Sequence, residues 1–491
     1  MTATTLTEIL DRVCDRRADH VAIRESAAAW SFGELRDWSQ TLSRMLEREV
    51  HEAGIPVVLL LPNSGAFASA FLAVARLGGV VAPLNYLYRS QELRYYLEDL
   101  EPAAVITIPD LVPRLLDVFP ALNRPPSIFA IESTRMSRVH RGEPAGSPLS
   151  GTVSPLFLQY TSGSTGRPKK VARSHAALVA ELAALQSVFG TGPSDRFLGV
   201  TPFSHVNGLV RTMLSALYAG ATLYPVDGFR RREILSLVSR ERLTFWGGVP
   251  QMFAILGQTP PRGETDLSSL RLVFSSSAPL LAGDHRRFQE LYGQTIRQLY
   301  GSTETGTICF NTDDDPSRSL DSVGAPLPGV AVDVVDASGQ RVTDGVEGEL
   351  VIRSPFAASE YLGNPLATET SFGPDGYRTG DLGCQDPRGF VFITGRTKLL
   401  LNRGGLKVNP YEVEEAIAQH PGVREVVVFG SPGPHGDDLI RCFIVPAGHL
   451  AVDDVVRHCR ERIADYKIPS SFEFRGSLPR ASTGKVLRAQ L

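Results

Sequence analysis

The first 300 residues alternate between short apolar runs and segments whose apolar residues recur at helical spacing. Pro56–Leu61 is a continuous apolar run that ends at Pro62, and Ala66–Leu77 has the spacing of a helix. The alternation continues through Ala176–Phe189, which predicts a helix, to Leu270–Phe274, which predicts a strand. Repeated strand–helix units favour α/β layers with parallel strands.

Two later regions have a different pattern. Ser322–Ile352 contains short alternating strands separated by Gly, Asp and Ser turns, which indicates a small β-barrel or sandwich element. The last hundred residues predict a small α+β unit. In that unit Asn409 is a candidate N-cap and Pro410 suits the first position of a helix.

Composition and charge narrow the class of protein. A chain of 491 residues predicts about two to four domains. With 50 Lys+Arg and 53 Asp+Glu, the net charge of −3 argues against general nucleic-acid binding. No apolar stretch is long enough for a membrane span, and the N-terminus lacks the pattern of a secretion signal. Five cysteines without a CxxC pair suit a reducing compartment, so a cytoplasmic protein is expected.

Lysine is rare in this chain. Six of the 50 cationic residues are lysines, at positions 169, 170, 398, 407, 467 and 485. Because lysine and arginine differ in shape, hydration and donor geometry, a lysine in such a chain points to a position where arginine does not serve.

The strongest motif is YTSGSTGRPKKV, from Tyr160 to Val171, directly after an apolar run. Glycines let the backbone approach a polyphosphate, amides and hydroxyls donate to it, and Lys169 or Lys170 adds positive charge. The order of residues differs from the G-x-x-x-x-G-K-[ST] loop. The candidate phosphate-binding residues are Thr161, Ser162, Gly163, Ser164, Thr165, Gly166 and Lys169.

With this loop in place, the chain resembles the adenylate-forming superfamily, which includes acyl-CoA and aryl-CoA synthetases, stand-alone adenylation enzymes and firefly-type luciferases. The resemblance covers nearly the whole chain, and its specificity comes from the joint occurrence of the motifs in order. After the phosphate loop they are Thr201–His205 (TPFSH), Ser277–Pro279 (SAP), Tyr300–Thr305 (YGSTET), Tyr377–Asp381 (YRTGD), Gly395–Lys398 (GRTK), Gly404–Gly405 and Pro479–Lys485 (PRASTGK).

The resemblance implies a fold and a nucleotide site. The fold is α/β, with an N-terminal domain (1–395) of two doubly wound subdomains plus a small β-barrel, and a small mobile α+β domain (396–491). Tyr300 is expected to stack on adenine, Asp381 to accept from the ribose hydroxyls, and Arg396 to reach ribose or phosphate. Glu304, with Thr165, would hold Mg²⁺, which takes few protein carboxylates beside phosphate oxygens. The other residues expected to line the nucleotide are Ser277, Ala278, Pro279, Gly301, Ser302 and Thr303.

The same resemblance assigns roles to the C-terminal unit. Lys485 would be the catalytic cation that bridges the attacking carboxylate and the α-phosphate. The unit would rotate about Lys398 and bring Gly404 and Gly405 to the site for thiol attack. Two positions depart from the common pattern, Leu399 after the hinge and Glu360 before Tyr361, and the first leaves the hinge detail open.

The acid is expected to bind near three segments, His205–Gly208, Trp246–Val249 and Ser275–Ser277. His205 is a candidate catalytic residue that gates or contacts the carboxylate. Arg211 could pair with a second carboxylate of the substrate, but an ordinary position on a helix surface is the favoured interpretation. Trp246 could equally belong to the core. The residues of the predicted acid pocket are His205, Val206, Asn207, Gly208, Trp246, Gly247, Gly248 and Val249.

These features predict an ATP- and Mg²⁺-dependent ligase that joins a small carboxylic acid to a thiol in two steps. Coenzyme A is the expected thiol, and the phosphopantetheine of an acyl carrier protein is the alternative. A nucleotide-binding regulator without catalysis is a third hypothesis, disfavoured by Glu304, Asp381 and Lys485. The acid, whether aryl, medium-chain acyl or dicarboxylic, and the oligomeric state stay open.

Overall fold

Two large mixed β-sheets with flanking helices, followed by a small α+β unit, make up the protein. The computed structural model describes residues 5–142, 147–149, 155–161, 168–258, 265–313, 320–403, 406–432, 438–481 and 486–491.

The N-terminal third supplies most of the first sheet and two strands of the second. The strands in the second sheet are β1 (Val21–Arg24) and β2 (Ala29–Ser31). The strands in the first sheet are β3 (Pro56–Leu60), β4 (Val80–Pro83), β5 (Ala104–Thr107), β6 (Ser127–Glu132), β7 (Arg135–His140), β8 (Pro155–Thr161) and β9 (Lys169–Ser174). Its helices are α1 (Leu6–Arg16), α2 (Phe32–Leu46), α3 (Gly65–Arg76), α4 (Ser90–Leu100), α5 (Val112–Val118) and α6 (His175–Phe189).

The middle of the chain supplies the parallel part of the second sheet. Its strands are β10 (Arg196–Gly199), β11 (Thr222–Pro225), β12 (Phe245–Gly248), β13 (Leu272–Ser275), β14 (Ile296–Ser302), β15 (Gly306–Phe310) and β16 (Ser322–Pro326). Its helices are α7 (Val206–Gly208), α8 (Ser215–Ala219), α9 (Arg231–Glu241), α10 (Pro250–Gly257) and α11 (Ala282–Tyr292), with a π-helical turn at Leu209–Leu214.

An antiparallel region and the C-terminal unit complete the chain. The antiparallel region contains β17 (Ala331–Val335), β18 (Gly348–Arg353), β19 (Tyr361–Leu362), α12 (Pro365–Ser371), β20 (Phe372–Gly373), β21 (Gly376–Gln385) and β22 (Val391–Arg396). The C-terminal unit contains β23 (Leu401–Arg403), β24 (Leu406–Val408), α13 (Pro410–Ala418), β25 (Val423–Pro432), β26 (Asp438–Pro446), α14 (Val452–Arg460) and β27 (Ser471–Phe474).

Both large sheets are parallel at their centres, as the strand–helix alternation predicted. The first has the order β19-β9-β8-β4-β3-β5-β6-β7, and its strands run parallel from β8 to β6. The second has the order β17-β18-β21-β22-β16-β15-β14-β13-β12-β10-β11-β1-β2, and its strands run parallel from β14 to β1. The short strands predicted after Ser322 are present, and they pair antiparallel as a continuation of the second sheet through β16 and β15.

A shared hydrophobic core fixes the two sheets against each other. One cluster of buried side chains includes Leu59 and Phe157 from the first sheet and Phe197, Phe245 and Phe274 from the second. The rings of Phe197 and Phe245 stack with their centroids 3.9 Å apart. Close packing of this kind transmits position between elements, so the strand ends that carry the site have defined places.

The C-terminal unit has its own core. The antiparallel pair β25–β26, extended by parallel β27, packs against α13 and α14 around residues such as Val413, Val428 and Val455. The predicted N-cap is confirmed, because the Asn409 side chain accepts a hydrogen bond from the Tyr411 amide at 3.1 Å.

One helical segment is irregular. It begins at Val206 and continues as the π-helical turn Leu209–Leu214. In the part of the chain that the structure describes, no helix is both long and apolar enough to span a bilayer.

A glycine at the junction between sheet and antiparallel unit provides a test of the fold. Gly324 lies in β16 with φ +89°, and a Cβ there would lie 2.0 Å from the Phe310 carbonyl oxygen. Gly345 has a similar φ of +79° but open space around it. We expect Gly345→Ala to cost about 1–2 kcal/mol from backbone strain alone, and Gly324→Ala about 2 kcal/mol more because the backbone must also move. Urea unfolding midpoints compare the two variants, and equal losses would contradict the described junction.

Candidate active site

The predicted site residues gather at one edge of the second sheet. Strands β10, β12, β13 and β14 run parallel, so their carboxyl ends face the same side. Three motif segments follow or complete these ends: Thr201–His205, Ser277–Pro279 and Tyr300–Thr303. In open α/β sheets this edge is the usual place for a ligand crevice.

The phosphate loop is anchored between two paired strands. Thr161 at the end of β8 lies opposite Lys169 at the start of β9. Lys170 points to a different partner, because its Nζ lies 3.2 Å from the Asp99 carboxylate. Lys169 instead places its Nζ 4.2 Å from the centre of the Tyr361 ring. Of the two lysines, Lys169 is therefore the one directed to the site. The predicted phosphate ligands Ser162, Gly163, Ser164, Thr165 and Gly166 lie outside the described residues.

Glu304, the predicted metal ligand, is a buried carboxylate held by tyrosines. Tyr361 donates to its Oε1 at 2.8 Å, and the Tyr361 and Tyr377 hydroxyls are 3.0 Å apart. Burial, reinforced by the charge of Glu304, raises the pKa of both tyrosines, so both stay protonated. Tyr361 thus contacts the loop lysine Lys169 with its ring and the carboxylate with its hydroxyl.

Asp381, the predicted ribose acceptor, is engaged on both oxygens. The Tyr300 hydroxyl donates to Oδ2 at 2.6 Å, and Arg396 Nε lies 2.5 Å from Oδ1. Asp381 and Arg396 are direct neighbours across β21 and β22. Burial and the Asp381 charge raise the pKa of Tyr300, which keeps its hydroxyl a donor. Each carboxylate oxygen can accept more than one hydrogen bond, so Asp381 retains capacity for a ligand.

The SAP motif forms an exposed, strained turn. Ser275 and Ser276 are buried at the end of β13, whereas Ser277, Ala278 and Pro279 are exposed. Ser277 has a φ of +78°, which non-glycine residues seldom adopt. Strained backbone of this kind is typical of ligand-binding positions.

The His205 segment is held by a partly buried asparagine, Asn63. Asn63 donates through Nδ2 to the carbonyl oxygens of Gly199 and Thr201 at 2.9 and 2.8 Å, and its Oδ1 accepts from the Phe203 amide at 2.8 Å. Burial lowers the pKa of His205 to about 4. The imidazole is therefore neutral at pH 7 and offers hydrogen bonds rather than a positive charge.

The remaining residues of the predicted acid pocket are closely packed. Asn207 donates to the Gly248 carbonyl at 3.2 Å, and a Cβ on Gly208 would lie 2.2 Å from the Pro202 carbonyl oxygen. Val206 and Val249 are buried.

The Trp246 side chain is fully buried in a core cluster, with its ring centroid 5.7 Å from that of Phe253. A Cβ on Gly247 would lie 2.5 Å from the Phe274 ring, and one on Gly248 would lie 2.7 Å from the Phe253 ring. Aromatic side chains of the protein thus fill the space beside both glycines.

Arg211 is buried, which corrects the favoured expectation of a helix-surface arginine. It lies in the π-helical turn and is 2% exposed. Its Nε donates to Thr307 Oγ1 at 3.0 Å and its Nη1 to Ser276 Oγ at 2.8 Å. The widened turn directs the side chain inward, and π-helical turns of this kind are frequent at functional sites.

An ion pair with no exposed atoms supports Arg211 from behind. Arg173 Nη2 lies 2.7 Å from Glu181 Oε2, and both side chains are fully buried. Glu181 Oε1 also accepts from the amide and hydroxyl of Thr307 at 2.8 and 2.7 Å. Thr307 therefore links Glu181 to Arg211.

The proposed hinge follows the nucleotide residues directly. Lys398 and Leu399 belong to a 3₁₀ turn over residues 397–399, immediately after Arg396. The Asn409 amide reaches across to the Thr394 carbonyl at 2.5 Å, and Thr397 Oγ1 donates to the Gly380 carbonyl at 3.1 Å. Gly404 and Gly405 lie outside the described residues.

Two ion pairs flank the segment that carries Lys485. Arg480 lies 2.5 Å from Glu425, and Arg488 lies 2.5 Å from Glu414. A bridge between Arg480 and Val486 closes the segment at its base. Lys485 itself lies outside the described residues, but the chain on both sides of it is tied to the C-terminal unit.

Sequence reasoning missed the residues that hold the site from behind. Tyr361 was noted only as the neighbour of Glu360, and no role was assigned to Asn63. Asn63 directly after an apolar run that ends in proline was a usable signal, because such a position lies at a strand end. Glu181 carried no signal, because its partners come from β9 and β15.

Comparison with solved structures shows the class of fold. The ATP-bound MatB of Rhodopseudomonas palustris matches this chain with a TM-score of 0.88 at 28% identity, over 99% of this chain and 98% of that one. The fold is therefore that of the adenylate-forming enzymes.

Comparison with sequence families shows the family. The family model described as AMP-binding enzyme matches residues 10–362, and that of its C-terminal domain matches residues 412–485. A sulfoacetate–CoA ligase of Cupriavidus necator is 32% identical, covering 95% of this chain and 93% of its own. An indoleacetate–CoA ligase of Aromatoleum aromaticum is 30% identical, over 98% and 96%. The chain belongs to the AMP-binding enzyme family and is an enzyme of the AMP-forming acid–CoA ligase type.

The tyrosine on Glu304 can be tested directly. Tyr361→Phe removes one hydrogen bond to a buried carboxylate, and hydrogen bonds to charged groups are worth enough to lower kcat/KM for MgATP roughly tenfold. Tyr292→Phe is the matched control, because its hydroxyl donates to the Leu256 carbonyl in α10 and accepts from Arg231 Nη2, both at 3.2 Å. Steady-state kinetics at saturating acid measures both. An unchanged kcat/KM in Tyr361→Phe would remove Tyr361 from the site.

Proposed function

We propose that this enzyme activates a carboxylic acid with MgATP as an acyl-adenylate and then transfers the acyl group to coenzyme A. The main support is that Tyr361 contacts both the loop lysine and the buried carboxylate of Glu304. A cation for phosphates and a carboxylate for a metal thus share one small region, as a metal–nucleotide site requires.

In this proposal the nucleotide lies along the strand ends. Tyr300 lies against adenine, Asp381 accepts from the ribose hydroxyls and Arg396 completes that end of the site. Ser277–Pro279 and Gly301–Thr303 line the nucleotide, and Lys169 with the loop Thr161–Gly166 binds the phosphates. The exposure of the SAP turn and the remaining acceptor capacity of Asp381 support this arrangement.

The buried carboxylate of Glu304 is a ligand of the kind that Mg²⁺ takes in proteins. Glu304 and Thr165 would hold Mg²⁺, and the ion would neutralise phosphate charge. Among the described residues no group of three or more His, Cys, Asp or Glu side chains could hold a metal alone. A site with one protein carboxylate suits Mg²⁺, whose shell is completed by phosphate oxygens and water.

Two steps follow from the chemistry of the reactants. In the first, a carboxylate oxygen attacks the α-phosphorus and pyrophosphate leaves, while Lys485 lowers the repulsion between the two anions. In the second, the thiol sulfur attacks the acyl carbonyl carbon and AMP leaves. Rotation about Lys398 would withdraw Lys485 and present Gly404 and Gly405 to the thiol. The proposed boundary between residues 395 and 396 lies beside this turn.

The acceptor and the acid need separate arguments. Free coenzyme A is favoured because sulfoacetate–CoA and indoleacetate–CoA ligases resemble this chain over nearly its full length. A carrier-protein phosphopantetheine is the alternative, since both thiols end in the same chemical group. Sulfoacetate and indoleacetate differ greatly in charge and size, so these names leave the acid open. Unpaired thiols suit the proposed cytoplasmic location, since all five cysteines are free.

The role of Lys485 gives a test that separates the two steps. Lys485→Ala should lower acid-dependent exchange of labelled pyrophosphate into ATP roughly 100-fold or more, because one aligned charge at the transition state is lost. Thioester formation from supplied acyl-adenylate should stay within a few-fold of the unmodified enzyme. Lys467→Ala, which removes a lysine paired with Glu412 on the same unit, is the control. Equal loss of both steps in Lys485→Ala would contradict the proposed division of labour.

The acceptor can be decided by mass spectrometry. Enzyme, MgATP and an acid panel are incubated with coenzyme A in one series and with phosphopantetheinylated carrier proteins in another. We expect acyl-CoA to form at least tenfold faster than any acylated carrier. Faster loading of a carrier would assign the enzyme to the alternative.

A further inference from the structure

We propose that Arg211 is a specificity-determining residue that binds a second anionic group on the acid, so that the substrate carries two acidic groups. This inference rests on the proposed function and names its substrate class.

The buried cluster of Arg211, Arg173 and Glu181 carries a net positive charge. Arg211 interacts with two described charged groups, Glu181 and Arg173. Two guanidinium groups against one carboxylate leave a formal charge of +1 in a region where all three side chains are at most 2% exposed. Burying an unbalanced charge is costly. A bound anion would neutralise this excess positive charge.

The guanidinium of Arg211 lies close to two of the motif segments. Nη1 is held by Ser276, the residue before the SAP turn, and Nε by Thr307. Nη2 faces Gly301, since a Cβ on that glycine would lie 2.4 Å from it. The charged end of Arg211 thus lies between the two segments, Ser277–Pro279 and Gly301–Thr303, that are proposed to line the crevice. Only a glycine at position 301 permits this approach.

The other described residues of the predicted acid pocket carry no positive charge. Neutral His205 cannot supply the positive charge that a second carboxylate requires. Trp246 is committed to the core, and the rings of Phe274 and Phe253 occupy the space beside Gly247 and Gly248. The rings beside these glycines are uncharged, so they offer a second acidic group no partner, whereas Arg211 does.

If the role of Arg211 were purely structural, its replacement should lower the stability of the protein, as deletion of one partner of a buried ion pair does. A cation that carries excess charge should be replaceable by an apolar residue at little cost to the free enzyme. Binding of a doubly charged acid should stabilise the unmodified enzyme and fail to stabilise the variant.

The first experiment uses the unmodified enzyme. Pyrophosphate exchange is measured with unbranched dicarboxylic acids of two to five carbons and with their monomethyl esters, which keep the length but lose one charge. We expect kcat/KM to be roughly 100-fold higher for the best diacid than for its ester, the scale of a buried charge pair. Equal or better use of the ester, or of unbranched monocarboxylic acids, would overturn the inference.

The second experiment uses Arg211→Met and Arg211→Lys. Arg211→Met should lower kcat/KM for the diacid far more than kcat/KM for the monoester, so that most of the diacid preference is lost, and Arg211→Lys should retain part of that preference. The matched control is Arg297→Met, whose arginine donates to the carbonyls of Asn311 and Asp313. Thermal unfolding with and without the diacid gives an independent readout.

The outcomes separate this inference from the proposed function. Exchange that depends on an acid but is equally reduced for diacid and monoester in Arg211→Met would overturn the specificity role alone. If none of the acids supports pyrophosphate exchange in the unmodified enzyme, the proposed function is overturned.

Discussion

Repulsion between two anions is the constraint on which the whole site depends. A carboxylate must approach a triphosphate closely enough to form a bond, and like charges at such distances repel strongly wherever water is excluded. At one end of the proposed site Lys169 lies over the ring of Tyr361, whose hydroxyl holds Glu304, and at the other end Arg396 is paired with Asp381. In each case a tyrosine, Tyr361 or Tyr300, joins the carboxylate to its surroundings through a short hydrogen bond. These partners limit reorganisation when the reactants arrive.

The fold supplies the place for this chemistry, and a second layer of residues supplies its rigidity. Parallel strands bring the motif segments to one edge, and the core shared by both sheets fixes that edge. Behind the edge, Asn63 holds the His205 segment, and the Glu181–Thr307 pair holds Arg211. The ion pairs of Arg480 and Arg488 secure the chain on either side of Lys485 to the unit proposed to move.

Much of this was readable from the sequence, for identifiable reasons. Strand–helix alternation predicted the parallel sheets, and the joint occurrence of the short motifs in order predicted the family. The proximity of Tyr361 to Glu304 could not be read, since β19 pairs with β9 across nearly 200 residues of sequence. Arg211 was misjudged because a regular helix was assumed, whereas the π-helical turn Leu209–Leu214 changes which residues face inward. Local periodicity does not contain that irregularity.

Isotope transfer tests the central claim most directly, because it follows the atom that crosses between the two anions. The enzyme is given MgATP, coenzyme A and an acid whose carboxylate carries two ¹⁸O atoms, and the nucleotide product is analysed by mass spectrometry. The account predicts AMP that has gained one ¹⁸O, since a carboxylate oxygen attacks the α-phosphorus and stays with AMP when the thiol displaces it. AMP without label, or label in pyrophosphate or inorganic phosphate, would contradict it.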